Sequence, residues 1–235
     1  MHTESRTTNP MPLEGICVVE FGTFHAGPGA SAILGDLGAE VIKIEEAEGD
    51  PMRTWKEAGG IRFSLADGEG LPFQFTNRNK KGIWLDIKKE RGREVFHRLI
   101  KNADVFLTNL RKSTKVALGI DYETLCQVNP RLIHASVSGF GQEGHLSDLG
   151  AFDPMGQARS GMMFSTGSDQ PHLIHLAVLD QTASIALSQA VLTALFVRER
   201  RGVGQAVHIS LYGTALWMQY LGLMLAGCLS RNSVP

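Results

Sequence analysis

Asp180 is a lone carboxylate between an apolar run (Leu176, Val178, Leu179) and a helical segment, within LIHLAVLDQTASIALSQAVLTALFVRERRGVGQ from Leu173 to Gln205. Two chemistries suit it there. It can cap the helix, accepting backbone N–H groups and meeting the positive end of the dipole. It can also act as a nucleophile that forms a covalent acyl intermediate. A second cluster is basic: Arg78, Lys80 and Lys81 lie in the turn Asn77–Lys81, just before an apolar run. Three cations so close make either a solvated face or a phosphate grip. Gly22, Gly27 and Gly29, followed by Glu45, invite a dinucleotide reading, but their spacing is not G-x-G-x-x-G. The helix start at Gly27–Ala30 can still receive an anionic or carbonyl oxygen. His172 and His175 have HxxH spacing with no carboxylate or third ligand beside them, so they read as core or surface histidines and no metal site is expected.

The elements that must position these residues alternate. Ile16–Phe21 predicts a buried strand, the segment with Pro28 in its first turn and Ala30, Ile33, Leu34 and Leu37 on its face predicts a helix, and Val41–Glu45 predicts a second strand. That is a βαβ unit, hence a parallel sheet with a right-handed crossover. Residues 47–72 read as an irregular excursion. Further strands are predicted at Ile83–Ile87, Val105–Thr108, Leu132–Ser138 and Ala206–Ile209, with helices at Glu90–Lys101 and Tyr122–Val128. Another helix opens at Asp153–Pro154, where Asp153 reads as its cap, and a long one follows Asp180. Along that long helix Ile185, Leu192, Leu195 and Phe196 recur one or two turns apart, and Gly202 ends it. The pattern is that of an α/β, doubly wound parallel sheet. The loop Gly139–Gly150 follows a strand's carboxyl end, where such sheets bind ligands.

Composition narrows the class. At 235 residues, 43% hydrophobic and 20% charged, the chain has the length for a full core. A formal charge of −1 supplies no field for nucleic acid or an anionic membrane, and neither partner is expected. Cys17, Cys126 and Cys228 are far apart and read as thiols of a reducing, cytoplasmic compartment. Residues 1–12 lack an apolar h-region and read as a disordered tail. Ile209–Ser230 carries no charge, yet Gln219, Thr214, Tyr212 and Tyr220 favour a buried or partner-facing helix over a membrane span.

EFGTFHAGPGASAILGDLGAEVIKIE, NRNKKGIWLDIK, ADVFLTNLR, NPRLIHASVSGFGQEG and RERRGVGQAVHISL together resemble the class III CoA-transferases, the group of formyl-CoA:oxalate and carnitine CoA-transferases and α-methylacyl-CoA racemases. The resemblance runs in unbroken order from about Leu13 to Leu216. It implies a Rossmann-like large domain, expected over 13–210, and an apolar helix over 211–235 leading to a small domain absent here. It also implies an interlocked homodimer or a heteromer. By the family's pattern Asp180 is the nucleophile of CoA transfer between an acyl-CoA and a free carboxylic acid, through an aspartyl mixed anhydride and an aspartyl-CoA thioester. Coenzyme A then enters as substrate, with no covalently bound cofactor. Its expected contacts are His25, Ala26, Leu85, Lys88, Asn109 and Leu110, with Arg78 and Lys80, and Lys81 beside them, adding phosphate contacts. The family's glutamine is His25 here, and two of its CoA-contacting arginines are Glu46 and Ala117. The racemases pair a histidine with the later aspartate; that position is Phe152, which disfavours racemase chemistry. The family's chain continues past Pro235, so an incomplete or non-catalytic CoA-binding subunit is the alternative expectation.

Overall fold

The computed structural model describes residues 10–58, 60–65, 68–165, 167 and 169–232. Residues 1–9 of the expected tail lie outside them. A turn over residues 12–15 follows, with Met11 O accepting from Glu14 N and the Met11 side chain laid on Gly38.

Short runs rich in Val, Ile and Phe become strands because they are buried on both faces. In chain order these are β1 (Cys17–Glu20), β2 (Glu40–Glu45), the pair β3 (Glu57–Ala58) and β4 (Ile61–Arg62), β5 (Lys80–Trp84), β6 (Val105–Thr108), β7 (Ile133–Ser138) and β8 (Gln205–Ser210). β3 and β4 form a separate antiparallel hairpin within the excursion. The other six make one parallel sheet in the order β5-β2-β1-β6-β7-β8. Setting the hairpin aside, that is the doubly wound order, whose direction reverses between β1 and β6. β5 starts at Lys80 and not at Ile83, because Lys80 and Lys81 pair in register with Val41 and Ile42 of β2. The last two residues of the predicted basic turn, Lys80 and Lys81, are therefore strand.

The helices are α1 (Ala26–Asp36), α2 (Leu71–Asn77), α3 (Glu90–Asn102), α4 (Lys112–Leu118), α5 (Tyr122–Val128), α6 (Asp153–Ser160), α7 (Val178–Arg201), α8 (Leu211–Met218) and α9 (Tyr220–Asn232). Alternate strand residues feed two cores. Val18, Leu107 and Ile133 face α1 and α7, while Val19, Phe106 and Leu132 face α3 and α5. α7 is long and apolar enough to cross a membrane by length and composition, but its stripe Leu179, Ala183, Leu187, Val191 and Ala194 is core. The phase differs from the one predicted: Ile185 and Phe196 point outward. Small residues decide this, since Ser184 fits closely against Gly29 of α1. The predicted single helix at 211–235 is two helices, interrupted at Gln219, whose side-chain amide donates to Ala215 O.

One ionic cluster sits inside this frame. Glu20 accepts from Lys43 (2.7 Å), Lys80 (2.6 Å) and the Ser31 hydroxyl, and Lys43 also reaches Gly22 O (2.9 Å) and Asp50 (3.0 Å). The three ionic side chains Glu20, Lys43 and Lys80 are each at most 2% exposed. Burial alone would raise the Glu20 carboxyl, but Lys80 and Lys43 outweigh it and hold it at about 2, below the usual 4.5. A depressed carboxyl contributes stability above its unfolded value and loses it as pH falls toward the folded one. Glu20→Gln is therefore expected to cost roughly 3–5 kcal/mol in urea unfolding at pH 7, by leaving two buried ammonium groups short of a counter-charge. The difference from the unaltered chain should shrink as pH falls from 4.5 toward 2; an equal difference at both ends would refute it.

Candidate active site

Asp180 occupies the first turn of α7, but it is not the cap. That role belongs to Asp153, whose Oδ2 accepts from Leu179 N (2.6 Å) and Asp180 N (3.1 Å). Asp153 was expected to cap α6, the helix it opens. Its carboxylate instead turns to the start of α7, where free N–H groups are concentrated. Gln157, one turn on, donates to Asp153 Oδ1 (2.5 Å) and to Ile174 O (2.8 Å), and accepts from Ile174 N (2.9 Å). These bonds tie α6 to the segment before α7. Within that segment Leu176 and Ala177 are left-handed, with φ of +77° and +49°. Such strain persists only where surrounding contacts over-determine it.

The capping exchange sets the electrostatics of Asp180. Burial, and then the Asp153 charge beside it, push its carboxyl up to about 7. Asp153 takes the backbone donors that would have held Asp180 down. Burial also lowers His25, against the opposing pull of a hydrogen bond to Gln181 and the charge of Asp153. The Ser184 hydroxyl spans Asp180 O (2.8 Å) and Ala26 O (3.0 Å), locking the first turn of α7 to that of α1. A side chain at Gly29 would run into Ser184.

Asp180 opens into a cavity of about 550 Å³ at the carboxyl ends of β1, β6 and β7. Phe24 (φ +61°) and Phe152 meet edge to face at 5.2 Å on its wall. A neighbouring cavity of about 470 Å³ lies over the ends of β1 and β2 and shares Thr23, Leu110 and Thr114 as walls. The two adjoin at the topological switch point. Asn109 clamps that point, accepting from Thr23 N (3.0 Å) and donating to Thr23 O (2.6 Å).

Of the residues singled out in the sequence, His25, Ala26, Asn109 and Leu110 line the cavity with Asp180, and Lys88 lines the second. Lys88 pairs with Glu46 at 2.6 Å. Leu85 lines neither; it packs on the core beneath α3 while its N donates to Glu45 O. The basic trio is displaced. Lys80 is consumed by Glu20, Pro28 O and Asn77, Arg78 pairs with Asp36 at the far end of α1, and Lys81 pairs with Glu40. Their ion-pair partners, Glu20 inside and Asp36 and Glu40 outside, hold these side chains away from the two cavities. Glu45 is bound by Arg53 at 2.7 Å. Among the described residues no group of three His, Cys, Asp or Glu side chains could hold a metal. Reading the sequence alone passed over Thr23, Phe24 and Ser138; their one signal is position, directly at or after the ends of β1 and β7.

Two substitutions separate these effects. Asp153→Asn should lower the Asp180 titration midpoint from about 7 yet leave it above 3.8, because burial persists, read by carboxyl ¹³C shifts; an unmoved midpoint would refute the coupling. A raised carboxyl makes the folded state bind its proton more tightly, so stability falls as pH rises from 3.8 to about 7. Asp180→Asn should accordingly raise the urea midpoint at pH 8 and leave it nearly unchanged at pH 4.

Residues 13–235 match the family model described as CoA-transferase family III. The chain is 36% identical over 228 residues to (R)-2-hydroxy-4-methylpentanoate CoA-transferase of Clostridioides difficile, covering 96% of this chain and 56% of that one. It is 39% identical over 206 residues to succinate–glutarate CoA-transferase of Agrobacterium fabrum, covering 85% and 51%. Among solved structures, a CaiB/BaiF family protein from Brucella suis superposes with a TM-score of 0.83 at 35% identity, over 93% of this chain and 59% of that one. Rv3272 from Mycobacterium tuberculosis gives 0.84 at 34%, over 93% and 60%. The chain spans about half the length of the curated relatives it matches. By sequence across nearly its whole length and by the fold that carries Asp180, this chain belongs to CoA-transferase family III.

Proposed function

We propose that this chain carries the CoA-binding, aspartate-bearing part of an enzyme that moves CoA from an acyl-CoA thioester to a free carboxylic acid. The observation that supports this reading is the pair of adjoining cavities, one lined by Lys88 and the other by Asp180, with Thr23, Leu110 and Thr114 in the walls of both. In the proposed cycle an Asp180 oxygen attacks the thioester carbonyl, the C–S bond breaks, and a mixed anhydride and CoA thiolate result. The thiolate attacks the aspartyl carbonyl, releasing the donor acid and leaving an aspartyl-CoA thioester. The acceptor carboxylate attacks that thioester and again frees the thiolate. The thiolate then takes the new acyl group and restores Asp180. A carboxyl near 7 is divided between its two forms at neutral pH, and the ionised form attacks. The walls Phe24, Phe152 and Met155 give the cavity an apolar side, and orientation there can remove on the order of 7–11 kcal/mol of barrier. CoA would lie with its nucleotide over β1 and β2, where Lys88 is the cation of the second cavity.

Incubation with succinyl-CoA and hydroxylamine should leave a hydroxamate on Asp180, located by peptide mass spectrometry, and Asp180→Ala should abolish it. No adduct on the unaltered chain would overturn the covalent role. Two-base inversion at an acyl α-carbon needs a partner for Asp180 on the opposite face, and Phe152 supplies none. A single epimer of a 2-methylacyl-CoA incubated with the chain should keep its configuration, read by chiral chromatography of the released acid; conversion to the other epimer would refute this.

A further inference from the structure

The wall of the Asp180 cavity carries a hydroxyl built into a network that the proposed cycle does not use. Ser138 lines that cavity at the carboxyl end of β7. Its Oγ accepts from Gly141 N (3.0 Å), with Gly141 in a left-handed turn, and lies 3.1 Å from His208 Nε2. His208 comes from β8, opposite Ser136 in the parallel register, and lies 3.0 Å from the Ser136 hydroxyl through Nδ1. Gln142 Nε2 donates to the same Nδ1 at 2.7 Å. An amide N–H pointing at Nδ1 requires that nitrogen to be unprotonated, so the ring proton of neutral His208 sits on Nε2 and is donated to Ser138. Ser138 Oγ then receives two N–H donors. Among the described residues its own proton meets only Gly141 O, at a long 3.3 Å. A hydroxyl whose lone pairs are both engaged is a polarised, stronger donor, and its proton is free to turn to a ligand oxygen.

We propose that Ser138 donates a hydrogen bond to the acyl oxygen of the ligand in the Asp180 cavity, and that His208 is the residue that positions it. This rests on the reading of the cavity as an acyl-CoA site. The acyl oxygen is the carbonyl of a thioester or the carboxylate of the acid, both of which accept. Burial, together with the Lys115 and His134 charges that face it, lowers His208 to about 4, so the imidazole stays neutral and keeps this arrangement at physiological pH. His208 touches no ligand; it acts through Ser138.

Calorimetric titration with free CoA, acetyl-CoA, and acetate in the presence of CoA tests the assignment. Ser138→Ala should weaken acetyl-CoA, acetate or both by about 3- to 12-fold, the contribution of one neutral hydrogen bond, and leave free CoA within about twofold. Which of the two arms weakens tells thioester carbonyl from carboxylate. His208→Phe should give the same loss and add nothing to Ser138→Ala, whereas His208→Gln, whose amide can still donate, should restore most of it. The ¹⁵N shifts of His208 in the unaltered chain should report an unprotonated Nδ1 and a protonated Nε2, a readout independent of how the variants fold. Equal weakening of free CoA, an unaffected Ser138→Ala chain, or the opposite tautomer would overturn the proposal. If the unaltered chain binds neither CoA nor acetyl-CoA, the acyl-CoA reading falls and this one with it.

Discussion

The site depends on a charge cluster buried where water cannot screen it. Glu20 at the end of β1 holds ammonium groups from β2 and β5, and Lys43 in turn holds Asp50 and Gly22 O. Asp50 Oδ1 accepts from Phe24 N at 3.2 Å, and Phe24 keeps its left-handed backbone on the cavity wall. A chain of ionic contacts therefore runs from the centre of the sheet to a residue lining the site. Removing two or more charges from water costs several kcal/mol per ion, which close partners repay only when the geometry is good. The return here is placement: three strands and two loops are fixed to one point beneath the two cavities.

A second constraint shapes Asp180 itself. A helix start offers a few free N–H groups, and whichever carboxylate takes them is held ionised. Asp153 takes them at α7, bound in place by Gln157. Asp180 is left buried beside a negative charge and close to neutral in its titration. The arrangement sets two neighbouring carboxylates apart in role, one structural and one available for chemistry, through the direction of a few hydrogen bonds.

The doubly wound sheet was legible because its signals are local. Apolar strand runs, helical periodicity and glycine stops follow one another from Ile16 to Ser210, interrupted by the excursion over residues 47–72. Errors fell where a residue answers to a neighbour distant in sequence. Lys80 looked like a phosphate ligand by its place beside Arg78 and Lys81, yet Glu20, sixty residues earlier, draws it inside. Ile185 and Phe196 fitted a helical stripe, but the small residues of α1 select a different face of α7 for burial. Gln219, which interrupts the uncharged C-terminal run, gives no local sign that the helix breaks there.

By itself the sequence determined the order of the parallel-sheet strands and the longer helices between them, the family of motifs and the aspartate at the start of a long helix, because each is written in neighbouring residues and their spacing. Only the tertiary structure decided which carboxylate caps that helix, which lysines reach the two cavities, and that Ser138 and His208 meet at the wall of one. Hydrogen bonds and ion pairs of that kind join residues 27, 60 and 70 positions apart. Their partners are chosen by burial and backbone geometry, and sequence spacing carries no record of either.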